Sequence, residues 1–269
     1  MLKFENGKAI PLWGEEPPFA KGNEPGKDIP TITLYTPPQW KRYDKAVVIF
    51  PGGAYCFCAP HEGQGYAEYL AANGIWAFVV NYRVAPNYAH PVPLNDAARG
   101  VRCVRLAAKE LGFDPDKVGV MGSSAGGHLA GHISTCFDSP QIVYGKDETE
   151  KVSSRPSFSI LCYPVISGVS TKRHLGSFLN LLGTKTPSEE DLKKLSLELL
   201  VNEKTPKAFL WHTFGDKGVP LENSLLYAEK LREHEIPFAL HIYERGGHGM
   251  GLNNGHPWGQ ECLFWLSMI

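Results

Sequence analysis

Apolar residues in this chain gather into short continuous runs, kept apart by polar stretches rich in glycine and proline. Residues 46–50, Ala-Val-Val-Ile-Phe, are apolar throughout, the pattern of a strand covered on both faces in a parallel sheet. Strands are also predicted over 76–82, 118–123, 158–163, 208–213 and 238–243, while 31–35 alternates like a half-buried strand and is closed by Pro37-Pro38. Between them the apolar spacing becomes helical, over 65–73, 96–111, 124–136, 175–182, 189–199, 221–234 and 258–268. Strand follows helix along the whole chain. That alternation predicts an α/β fold, a doubly wound and mostly parallel sheet forming a single domain over 1–269.

Three stretches break the alternation. Residues 5–30 mix Pro, Gly and charge and read as an irregular arm on the surface, and 138–155 reads as loop. Residues 165–204 place Ser, Gly and Thr loops around two short helices after a strand's C-terminal end, where insertions overlie the active edge of an open sheet. This segment is expected to be either a small helical cap that shapes a pocket or a pair of ordinary connecting helices. Within the helix 96–111, Asp96, Arg99 and Arg102 are explained as a helix cap and i,i+3 pairing partners rather than as a site.

The densest chemical signal lies between a buried strand and a small-residue helix. Gly122-Ser123-Ser124-Ala125-Gly126 fits G-x-S-x-G, with an apolar run before it and Gly127-His128-Leu129-Ala130 after it. Strand, sharp turn and helix in that order form a nucleophile elbow, which exposes the hydroxyl of Ser124 and aims the Ala125 N–H at an oxyanion formed beside it. His128, four residues on, packs beneath the turn and reads as a hydrogen-bonding structural histidine.

A serine hydroxyl needs a base, and the base needs a carboxylate to hold its tautomer. In this topology the order is Ser, acid, His, each on a loop following a strand. Asp216, in Asp216-Lys217-Gly218-Val219-Pro220, and His248, flanked by Gly247 and Gly249, satisfy both order and placement. Glu222 falls inside the following helix, and His256 reads as a surface-loop histidine. The small residues of Pro51-Gly52-Gly53-Ala54-Tyr55 follow a buried strand, so Gly53 and Ala54 are the candidate partners of Ala125 in an oxyanion hole. Tyr55, His61, Tyr82 and the segment 165–204 are the candidate walls of a substrate pocket.

Composition narrows the remaining classes. The 27 Lys and Arg nearly balance 28 Asp and Glu, so no global field favours nucleic acid or an anionic membrane. No run approaches the ~20 apolar residues of a membrane span, and the N-terminal residues lack the apolar stretch of a signal peptide. A cytoplasmic protein is expected unless a leader was removed. The six cysteines lie mostly in apolar runs and read as buried thiols. No C-x-x-C pair or H-E-x-x-H is present, and the chemistry needs neither metal nor cofactor. Scattered aromatic residues permit a homodimer.

On these residues the chain resembles the α/β-hydrolase superfamily. The likeness is to esterases related to the hormone-sensitive lipase family, and among them to small bacterial acetyl esterases acting on xylan-derived sugars. Ile10-Pro11-Leu12-Trp13, Asp28-Ile29-Pro30, the 51–55 loop, His61-Glu62-Gly63, Asn81-Tyr82-Arg83-Val84-Ala85-Pro86, the elbow, 216–220 and 243–249 carry the resemblance. It departs where Pro51 and Ala54 stand in place of the His and last Gly of H-G-G-G, and where Ser123 replaces an acidic residue. The resemblance implies hydrolysis of short-chain esters, with O-acetyl groups on small-molecule or oligosaccharide substrates foremost. An aryl formamidase, a feruloyl esterase and a binding protein on an inactive hydrolase fold are the alternatives.

Overall fold

The computed structural model describes residues 2–14, 16–253 and 255–269. Its strands are β1 (Ala9–Pro11), β2 (Thr31–Tyr35), β3 (Ala46–Phe50), β4 (Trp76–Asn81), β5 (Val118–Ser123), β6 (Phe158–Cys162), β7 (Lys207–Thr213) and β8 (Phe238–Tyr243). The helices are α1 (Pro60–Ala72), α2 (Val92–Leu111), α3 (Ser124–Thr135), α4 (Leu175–Leu182), α5 (Glu189–Lys194), α6 (Glu222–Glu233) and α7 (Trp258–Ser267). One eight-stranded sheet runs in the order β1-β2-β4-β3-β5-β6-β7-β8. The β1–β2 and β2–β4 pairs are antiparallel and the remaining pairs parallel.

The continuous apolar runs follow from burial on both faces. Along β3, Ala46, Val48 and Phe50 join one core cluster with residues of α2, α3 and α6, whereas Val47 and Ile49 join a second with residues of α1 and α7. Side chains alternate across a strand, so every position must be apolar when helices cover both sides. The C-terminal ends of β3, β5, β7 and β8 consequently open on one rim, and the 51–55, elbow, 214–220 and 244–251 loops gather there.

Several boundaries differ from the sequence reading, for identifiable reasons. The arm 5–30 is not wholly irregular, because Ala9–Pro11 pairs with β2 and Pro11 occupies an edge strand, where a missing N–H costs little. Helices α1 and α2 begin earlier than the apolar spacing predicts, each with a proline in its first turn, where an orphan N–H would otherwise point outward. The expected helix over 189–199 divides into α5, opened by a Ser188/Asp191 capping box, and a 3-10 turn at Leu197–Leu199. Among the cysteines, Cys56 is exposed rather than buried. No helix among the described residues is long and apolar enough to cross a membrane.

The charges of α2 are not a cap and its neighbours. Asp96 lies a full turn inside the helix and is wholly buried, taking Arg83 Nη2 on Oδ1 at 2.7 Å, Arg83 Nε on Oδ2 at 2.9 Å and the Trp13 indole N–H at 3.0 Å. Arg99 reaches out to Asp147 at 2.6 Å, and Arg102 stacks its guanidinium over Tyr144. These residues staple the N-terminal arm and the 138–155 loop onto the domain. Removing one member of a buried pair leaves its partner's charge unmatched, at a cost of about 3–5 kcal/mol. Asp96→Asn is therefore expected to lower the urea midpoint by that equivalent with an unchanged m-value, and a wild-type midpoint would show that the pair adds nothing net.

Candidate active site

Backbone strain places the serine. Ser124 has φ 54, in the left-handed region that non-glycine residues avoid, and it heads α3 directly after β5. That turn tolerates nothing larger than glycine around it. A Cβ on Gly122 would sit 2.0 Å from the Gly126 carbonyl oxygen, and one on Gly126 would sit 2.1 Å from that of Phe50.

Two loops bring the other groups to this point. His248 Nε2 lies 2.7 Å from Ser124 Oγ, and its Nδ1 lies 2.7 Å from Asp216 Oδ2. A carboxylate only accepts, so Nδ1 carries the proton and Nε2 is left to accept from the serine hydroxyl. Asp216 is itself held fast, its Oδ1 accepting the backbone N–H groups of Gly218 and Val219, both at 2.9 Å. Burial pushes this carboxyl up, but hydrogen bonds from His212 and His248 outweigh it and hold the group well below the usual carboxylate range.

His212 was absent from the sequence reading, where it is simply one position of a buried strand. It is fully buried on β7, with Nε2 2.9 Å from the Val219 carbonyl and 3.4 Å from Asp216 Oδ2. Because that carbonyl can only accept, Nε2 is the protonated nitrogen, and Nδ1 accepts from the Ser224 hydroxyl at 2.8 Å. The only signal in the sequence was a histidine four residues ahead of the acid.

The 51–55 loop forms the facing wall. Gly53, Ala54 and Tyr55 have φ of 131, 52 and 60, a succession of left-handed residues that turns the peptide units over. The carbonyl of Gly52 accepts from Ala59 N, that of Gly53 from Cys56 N and Phe57 N, and that of Ala54 from Asn180 Nδ2 of α4. Among the described residues nothing accepts from the N–H of Gly53 or Ala54. The Ala125 N–H, in the first turn of α3, belongs to the helix-terminal donors that have no intrahelical acceptor.

The expected pocket walls are only partly where the sequence reading put them. Tyr55 and Tyr82 are 1% and 3% exposed, with their hydroxyls spent on His128 Nδ1 at 2.7 Å and on the Pro51 carbonyl at 2.7 Å. Tyr55 therefore supports the loop from inside the core, whereas Tyr82, almost wholly buried, still lines the cavity between Pro51, Phe57 and Val84. His61 is exposed and bridges α1 to the 248–251 loop through the Gly249 carbonyl at 2.8 Å. Glu222 lies in α6, 3.9 Å from Lys172, and His256 bonds the Arg245 carbonyl at 2.6 Å.

His128 is fully buried, with Nε2 on the Leu195 carbonyl at 2.8 Å, so it joins the 51–55 loop to the segment after α5. Burial holds His128 at about 4 and His132 well below the ordinary 6.5. The unfolded chain binds those protons near 6.5 while the folded chain refuses them, so stability is complete above that pH and falls as pH drops toward 4. Carboxyls held low, such as Asp216, act mainly at still lower pH, while Glu198, pushed up by burial, partly offsets the imidazoles within this window. Each unit of displacement is worth about 1.4 kcal/mol, so the melting temperature is expected to decline steadily from pH 7 to pH 4.5. Equal melting temperatures at those two pH values would refute it.

The family profile described as BD-FAE matches residues 32–231, a span that includes Ser124, Asp216 and the 51–55 loop. The chain belongs to the BD-FAE family. An endo-1,4-beta-xylanase B of Butyrivibrio fibrisolvens is 38% identical over 84% of this chain and 35% of its own length. An acetylxylan esterase of Xylanibacter ruminicola is 35% identical over 84% of this chain and 46% of its own. The chain thus spans between a third and a half of these curated relatives. An acetyl ester-xyloside bifunctional hydrolase of Caldicellulosiruptor lactoaceticus superposes with a TM-score of 0.88, at 41% identity, over 98% of this chain and 97% of that one. The fold of this BD-FAE chain is that of the α/β-hydrolases.

Proposed function

We propose that this chain is a serine carboxylesterase that removes short acyl groups, foremost acetyl, from carbohydrate esters. The observation that carries the reading is the continuous hydrogen-bonded line Asp216–His248–Ser124, with 2.7 Å at each link. The donor-rich 51–55 loop supports it, and the likeness to an acetylxylan esterase and an acetyl ester-xyloside hydrolase supports the sugar and the acetyl group.

In this reading His248 Nε2 takes the Ser124 proton as Oγ attacks the ester carbonyl carbon. The amides of Gly53, Ala54 and Ala125 hold the oxyanion, an electrostatic contribution that grows only as the charge develops. Collapse breaks the bond to the alcohol oxygen, which leaves with the proton from His248. Water then attacks the acyl-enzyme, gives its proton to His248 and releases the acid, restoring Ser124. Asp216, held ionised by its donors, stabilises the imidazolium at both steps. In this reading the segment 165–204 overlies the 51–55 loop, supported by the hydrogen bond from Asn180 to the Ala54 carbonyl.

A parallel rate series tests this, using an acetylated xylo-oligosaccharide, p-nitrophenyl acetate, butyrate and octanoate, a feruloyl ester and formylkynurenine. Acetyl esters are expected to give the highest kcat/KM. A maximum on formylkynurenine or the feruloyl ester would overturn the substrate assignment. Inertness to all of them, together with failure of an organophosphate to label Ser124, would favour a binding protein on a hydrolase fold.

A further inference from the structure

One buried acid lies outside the triad yet touches both walls of the site. Glu62 stands in the first turn of α1 and is 2% exposed. Its Oε2 accepts the Gly52 N–H at 2.9 Å, and its Oε1 accepts the Tyr163 hydroxyl at 2.6 Å. The fit around Gly52 is close on both sides. A Cβ there would meet Glu62 Oε2 at 2.2 Å and Ser124 Cβ at 3.2 Å, so the Gly52 backbone is clamped between this carboxylate and the serine.

The second oxygen leads to the base. Tyr163 donates to Glu62, and its oxygen accepts the Gly251 N–H at 3.0 Å, three residues after His248. The Tyr163 ring packs edge-on against the His248 imidazole, with centroids 5.2 Å apart. The Tyr66 hydroxyl lies 3.1 Å from that of Tyr163 and accepts from Ser123 Oγ, beside the serine, at 2.9 Å. With Glu62 as the acceptor at the end, the hydroxyls of Ser123, Tyr66 and Tyr163 all donate in one direction.

We propose that Glu62 is a positioning residue for ester hydrolysis, one that holds the 51–55 loop in its donor geometry and locks it to the loop bearing His248. The inference rests on the esterase reading above. A loop of left-handed residues has many alternative conformations, and a donor set contributes in proportion to how little it must reorganise as charge develops. The Gly52 N–H is the last anchored amide before Gly53 and Ala54. Its acceptor therefore sets where theirs stand.

The test is steady-state hydrolysis of p-nitrophenyl acetate by Glu62→Ala, Glu62→Gln and Tyr163→Phe, each with a thermal melt. Glutamine can still accept from Gly52 while its amide donates to Tyr163, so it is expected to stay within about fivefold of wild-type kcat. Alanine leaves the Gly52 N–H without an acceptor, and kcat is expected to fall about a hundredfold with KM within about threefold, the size of losing one oxyanion donor. Tyr163→Phe keeps the Gly52 anchor and cuts the link to the base loop, with an expected fall of about tenfold in kcat at unchanged KM.

A flat kcat across folded variants, or a loss carried by KM alone, overturns the proposal. So does an equal loss in Glu62→Gln and Glu62→Ala, because charge rather than anchoring would then be responsible. Should Glu62→Ala fail to fold, Tyr163→Phe decides in the same terms. Wild-type enzyme that does not turn over the ester overturns the esterase reading itself; an active wild type with flat variants overturns only the role of Glu62.

Discussion

On the esterase reading, Ser124→Ala is expected to lower kcat for acetyl esters about a million-fold, with little change in stability. The magnitude is that of losing a nucleophile whose partners act only through it, leaving just the oxyanion donors and binding to assist direct attack by water. The stability half follows from geometry. Ser124 is held at φ 54, which alanine shares at similar cost, and its hydroxyl gives up a single hydrogen bond, to His248. Single-turnover measurement of acyl release, paired with a thermal melt, checks both halves. Retention of most activity would move the nucleophile elsewhere.

Asp216→Asn is expected to cost about 10⁴-fold in kcat, and the reason is one proton on the wrong nitrogen. The backbone donors of Gly218 and Val219 compel the asparagine oxygen to take the place of Oδ1. Its NH2 then occupies the place of Oδ2, 2.7 Å from His248 Nδ1. A donor there forces the imidazole to accept at Nδ1 and to carry its proton on Nε2, where it cannot receive one from Ser124. His212 Nε2–H, 3.4 Å from the same position, faces that NH2 as well and strengthens the conflict. The variant is expected to recover activity at high pH, where hydroxide replaces the missing base, and comparing pH–rate profiles of the two proteins reads this directly. A rate within tenfold of wild type would mean that Asp216 does not orient the base.

Both expectations could be framed from residue order, because this site is assembled from local signals. A Gly-x-Ser-x-Gly between a buried run and a small-residue helix can pack only as a tight strand-to-helix turn, since any Cβ at 122 or 126 would strike backbone. Continuous apolar runs imply strands covered on both faces, and loops after successive parallel strands emerge on one rim, so Asp216 and His248 are brought to Ser124 by topology alone. The positions of α4 and β8 were equally legible, because their periodic patterns are uninterrupted.

What the sequence could not supply was the identity of partners that meet across the fold. Asp96 resembles a helix cap in one dimension, and only folding shows that Arg83, from another strand end, neutralises it and that the Trp13 indole, from the arm, donates a hydrogen bond to it. Tyr55 and Tyr82 sit beside catalytic-looking motifs, yet their hydroxyls find acceptors inside the core. His212 carries no motif, and Glu62 entered only as part of the His61-Glu62-Gly63 likeness without a role, since a buried polar residue is defined by the group that satisfies it. Periodicity and turn chemistry are properties of neighbours along the chain and so determined the elements, their order and the rim. Hydrogen bonding between buried groups depends on separations of a few ångströms between residues far apart in sequence, and it was left to the tertiary structure to decide.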